Sequence, residues 1–103
     1  MNIDWEKIKK EYIRGYNTFK RSKYFKTKIE FDDIKEFFKY KNIFICVGYL
    51  WSNRENKNVW LYHISYKNKL KDFGVYNPVG KYLSEEESEI ESVYKAFEIL
   101  EEK

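Results

Sequence analysis

The chain has 103 residues, enough for one domain and too few for two with separate cores. Its 20 Lys and Arg against 17 Asp and Glu leave +3, and its single cysteine excludes an intramolecular disulfide. No run of about 18 apolar residues occurs and the opening MNIDWEKIKK has no apolar leader, so a reducing, cytoplasmic setting is expected.

The N-terminus reads as a helix. Asp4 can cap it, Ile3 and Ile8 have hydrophobic-staple spacing, and Trp5, Ile8 and Tyr12 recur at helical spacing up to a stop at Gly15. Residues 16–30 alternate aromatic and basic side chains without a clean period and read as loop with a short helical turn. A second helix is expected at 32–40, opened by Asp33 and Glu36, with Ile34, Phe37 and Phe38 on its apolar side. IFICVGYLW at 43–51 has the composition of a strand buried on both faces, and VWLYHISY at 59–66 is its partner across SNRENKN. KNKLKD reads as a turn, and FGVYN as a short third strand ending before Pro78. The last helix opens on Ser84 with Glu87 at capping-box spacing and three glutamates in the first turn, where the helix dipole favours them. Ile90, Val93, Phe97 and Leu100 form its apolar stripe. The expected fold class is α+β: an antiparallel two- to three-stranded sheet with helices on one face, in the order α-α-β-β-(β)-α. It forms one domain, with a helical, basic extension over 1–30 packed on a core over 31–103.

The reactive side chains are few. His63 shares a strand face with Val59, Leu61 and Ser65, has no acidic neighbour in sequence, and reads as structural. Cys46 falls on the side of Phe44, Gly48 and Leu50 and reads as a small buried hydrophobe. One Cys and one His cannot found a zinc site, and the isolated glycines make no phosphate loop. Two or three strands followed by the acidic helix SEEESEIESVYKAFEIL are similar to the opening of ribonuclease H folds. That family needs an aspartate in its first strand, and IFICVGYLW has none. The expectation is a protein that is not an enzyme, with no cofactor and no metal.

Binding is the alternative, and the surplus of aromatics is its first hint: 10 Tyr, 8 Phe and 3 Trp exceed what one small core needs. Between Arg14 and Lys28 lie six basic residues, Arg14, Lys20, Arg21, Lys23, Lys26 and Lys28, with Tyr24 among the interleaved rings and no acid. Cations that neutralise phosphate beside rings that stack on bases suit single-stranded nucleic acid; the plain alternative is a solvated loop whose rings plug the core. In the second strand Trp60, Tyr62, Ile64 and Tyr66 share one face, and Trp51 shares one with Tyr49 in the first. Either the N-terminal 30 residues close over these rings, or Trp51, Trp60, Tyr62 and Tyr66 form a partner-binding patch. The acidic helix start, with Glu85, Glu86 and Glu89, reads as dipole compensation or as a patch for a basic partner. Charge is divided along the chain: residues 1–81 hold 18 basic and 9 acidic side chains, residues 82–103 hold 2 and 8.

From Phe31 onward the order helix, three strands, helix resembles a double-stranded-RNA-binding domain, and SEEESEIESVYKAFEILEE looks like that family's last helix in its serine entry and KAFEIL end. The family grips phosphate with lysines after the helix-opening serine; here Glu85 and Glu86 stand there, and they would repel a duplex. In general character the chain also looks like phage or mobile-element accessory proteins such as anti-CRISPR inhibitors. The expected function is a protein-binding inhibitor or adaptor of that type, for example an inhibitor of a host nucleic-acid-handling complex. The second expectation is direct DNA or RNA binding through residues 14–28, weak and salt-sensitive.

Overall fold

The structure is a computed structural model that describes residues 2–54, 56–74 and 84–102. Four helices and a three-stranded antiparallel sheet follow one another as α1 (Trp5–Glu11), α2 (Ile13–Lys20), α3 (Phe31–Tyr40), β1 (Ile43–Ser52), β2 (Lys57–Tyr66), β3 (Lys69–Gly74) and α4 (Glu85–Glu101). The sheet order is β1-β2-β3. The α+β class with helices on the sheet is as the residue pattern predicts.

Local chemistry accounts for the element ends. The Asp4 carboxylate accepts the Lys7 N–H at 3.1 Å and caps α1. The helical path breaks at Tyr12, whose backbone leaves the helical region, and resumes at once as α2. Two expectations are corrected here. Residues 16–20 are helical rather than loop, and Gly15 lies buried inside α2 instead of ending a helix. Its missing side chain serves packing, since a β-carbon there would press on Leu100 at 3.2 Å and Phe97 at 3.3 Å. α3 starts within one residue of the expected position, but its cap is Glu30 rather than Asp33, whose carboxylate accepts the Glu30 N–H at 2.9 Å. That bond, together with Lys26, holds the Asp33 carboxyl below the usual carboxylate range.

Asn42, with φ of 61°, turns the chain sharply from α3 into β1. Lys67 and Asn68 both have positive φ, and this two-residue turn starts β3 at Lys69, earlier than expected. Residues 75–77 of the expected third strand, and Pro78, lie outside the described residues. At α4 the Ser84 hydroxyl accepts the Glu87 N–H at 3.1 Å, as the capping-box spacing predicts. Ser84→Ala should lower stability by about 1 kcal/mol in urea denaturation, with Ser84→Asp restoring it.

The core lies between the sheet and the helical layer. Ile8, Phe19, Ile34, Phe37, Phe38, Val93, Ala96 and Phe97 from the helices meet Ile43, Ile45, Tyr62 and Ile64 from the strands. Phe19 of α2 touches rings from three other elements: Trp5 at 5.4 Å, Phe37 at 4.9 Å and Phe97 at 6.0 Å between centroids. The N-terminal helices are therefore part of the core rather than an appendage to it. Among the described residues no helix is long and apolar enough to cross a membrane.

Candidate interaction surfaces

Cross-strand register decides which side chains share a face. Ile45 pairs with Ile64, Val47 with Tyr62 and Tyr49 with Trp60, so the aromatic side of β2 is the side the helices cover. Tyr62 is 2% exposed, and its hydroxyl donates to the Asp72 carboxylate at 2.9 Å. Burial first, and that bond second, push the Tyr62 phenol far above its ordinary value. As a partner-binding residue Tyr62 is corrected: it is core. Tyr66 is half-buried beneath the same layer, with the Lys67 ammonium 5.2 Å from its ring.

Further along the hairpin the helices no longer reach. A ten-residue strand runs about 33 Å, whereas the ten residues of α3 span about 15 Å. Trp51 is 55% exposed with its Nε1 donating to the Asn53 side chain at 3.0 Å, and Tyr49 packs on half-buried Trp60 at 5.2 Å. Of the four proposed ring contacts, Trp51 is the exposed one.

The opposite face of the sheet was read as buried on β1, and it is open among the described residues. Phe44, Ser65 and Leu70 form one cross-strand row; Cys46, His63 and Phe73 form the next; Gly48 pairs with Leu61, and Leu50 with Val59. None of these ten joins the core cluster. Val59 is buried, but Phe44 is 47%, Phe73 53% and Leu70 64% exposed. Cys46 is exposed too, which corrects its reading as a buried hydrophobe. None of the ten is charged, in a chain with 36% charged residues. Lys57 shares this side by register, whereas Lys41 and Lys67 stand over the Phe37 and Tyr66 rings and Lys71 borders Ile99 and Glu102, all toward the helical layer. The one described acid of the strands, Asp72, holds the Tyr62 hydroxyl.

The basic segment is partly neutralised. Arg14 meets Glu101, through its Nη2 to the backbone carbonyl at 3.0 Å and its Nε to the carboxylate at 3.5 Å. Lys26 pairs with Asp33 at 2.9 Å, and Lys28 with Glu30 at 3.5 Å. Lys20 and Arg21 are exposed and have no ion-pair partner among the described residues. The Lys23 ammonium stands 5.3 Å from the Tyr24 ring and 5.7 Å from the Tyr40 ring. Partial burial, and a bond to Tyr40, raise the Tyr24 phenol. These groups border an open groove of about 390 Å³ that Thr18, Ser22, Phe37 and Lys41 complete. Tyr40 and Lys41 were missed from sequence because they follow from the placing of α3, not from the basic run.

Glu85 and Glu86 are exposed on the first turn of α4, and Glu89 is half-buried. Burial, then Glu85, raise the Glu89 carboxyl. Among the described residues no three His, Cys, Asp or Glu side chains gather as a metal site would require. Compared with protein-family models, curated proteins and solved structures, the chain finds no match.

Proposed function

We propose that this chain is a non-enzymatic binding protein, an inhibitor or adaptor of phage or mobile-element type that docks on a larger protein. A nucleic-acid-handling complex suits it as a target. The supporting observation is the uncharged, half-exposed face bearing Phe44, Leu50, Leu70 and Phe73. An uncharged apolar centre fits an apolar protrusion on a partner, and Phe44 and Phe73 are its anchors. Aliphatic groups outnumber rings on this face, which favours a protein over stacked bases. Trp51 is exposed on the other side of the hairpin by the same register and lies outside this contact.

A second reading has its own support: Lys20, Arg21 and Lys23 with Tyr24 and Tyr40 combine unpaired cations with rings, as single-stranded nucleic acid requires. Duplex RNA is disfavoured, since exposed Glu85 and Glu86 occupy the α4 positions that would meet phosphate.

The two readings separate by variant. Tagged protein incubated with lysate of its source organism at physiological salt should retain a protein partner. Phe44→Asp with Phe73→Asp should weaken that partner at least about tenfold, as loss of anchor residues does, while circular dichroism shows the fold intact. Lys20, Arg21 and Lys23 changed to Glu should leave it bound. Retention by the double Asp variant would refute the protein reading. Sub-micromolar gel shift of single-stranded nucleic acid, abolished by the triple Glu variant, would put the second reading in its place.

A further inference from the structure

The two outer edges of the sheet are built differently. β3 is six residues long, carries exposed Lys69 and Lys71, and its register against β2 shifts at Ile64/Ser65. Short length, lysine and a register break are how sheets keep an edge from pairing. β1, at the other edge, runs ten residues in unbroken register with β2 and contains no charge and no proline. Among the described residues no backbone hydrogen bond from outside the sheet reaches residues 43–51.

Gly48 lies near the middle of β1. A β-carbon at Gly15 would press on α4, and one at Gly74 would overlap the Tyr62 ring, but one at Gly48 would meet nothing within 4 Å. Glycine weakens a strand interior, and the fold supplies no packing reason for it here. Close approach of a ligand or of another backbone is the reason left.

We infer that β1 pairs antiparallel with β1 of a second copy, about a two-fold axis perpendicular to the sheet beside Gly48, giving one six-stranded sheet. The occupant is a second copy because the strand is uncharged from Ile43 to Ser52, so self-pairing sets no like charges opposite each other. Such an axis keeps each open face on the same side, so opposed residues must share a face. Setting Gly48 against Gly48 meets that condition and brings Cys46 against Leu50 and Val47 against Tyr49 of the second copy. The contact is along the edge, leaves the open face free, and stands or falls apart from the partner reading above.

Sedimentation equilibrium of the full chain should show a reversible dimer. Directly opposed side chains lie about 5 Å apart, so Gly48→Lys alone and Gly48→Asp alone should each raise the dimer dissociation constant at least about fivefold. An equal mixture of the two should restore the dimer. Gly48→Cys in a Cys46→Ser background should oxidise to a covalent dimer, since opposed Cα atoms at roughly 4.5–5.5 Å fall within disulfide range. Circular dichroism checks that each variant stays folded. A wild-type chain monomeric at millimolar concentration, a dimer indifferent to both charges, or a β1 edge taken only by a strand of another protein would each overturn the inference.

Discussion

Phe19→Ala should abolish or nearly abolish the folded state at 37 °C. Phe19 is fully buried, and its ring stacks on Trp5 and meets Phe25, Phe37 and Phe97 edge-on. Removing a buried Phe costs about 3–5 kcal/mol, and each lost ring pair adds about 0.5–1.5 kcal/mol in favourable cases. A domain of this size has roughly 5–15 kcal/mol in total. The midpoint of thermal unfolding should fall by about 15 °C or more, read by circular dichroism at 222 nm. Phe19→Leu should lose less, because it leaves a smaller cavity. A fall of only a few degrees for Phe19→Ala would show that α2 is not tied to α3 and α4 as described.

Tyr62 carries the second large effect. Tyr62→Ala empties a site beneath α4 and strands the half-buried Asp72 carboxylate, so a loss of about 3–5 kcal/mol is expected. Tyr62→Phe keeps the ring and removes one bond to a charged group, for about 1.5–3 kcal/mol. Urea midpoints at unchanged slope measure both. The contrast with Phe73→Asp is the diagnostic. Phe73 is exposed on the opposite face, so its loss should leave the urea midpoint nearly unmoved while touching partner binding. Equal destabilisation by Phe73→Asp and Tyr62→Ala would mean that both faces of the sheet are core.

The comparison of these two residues shows what could be read from the sequence. Alternation along β2 correctly separates Trp60, Tyr62, Ile64 and Tyr66 from Val59, Leu61, His63 and Ser65, because the strand period fixes sides. Which side faces solvent is a tertiary fact. Large rings suggested an interface, yet their bulk is what a helical layer covers first, and the smaller set was left outside. The start of α4 and the Asp4 cap were legible because capping is local chemistry within three or four residues. Gly15 was misread for the complementary reason: its role depends on Phe97 and Leu100, more than 80 positions away. The basic run from Arg14 to Lys28 was visible, but Glu101, Asp33 and Glu30, which partner half of it, could be assigned only once the helices were in place.

The charge division along the chain does not separate in space, because basic α2 packs on acidic α4 and Arg14 reaches Glu101 at 3.5 Å. Charges paired in this way cancel a short distance away and do little to turn an approaching partner. The uncharged face would then be found by contact rather than by long-range attraction, and raising ionic strength should change the bimolecular rate only slightly.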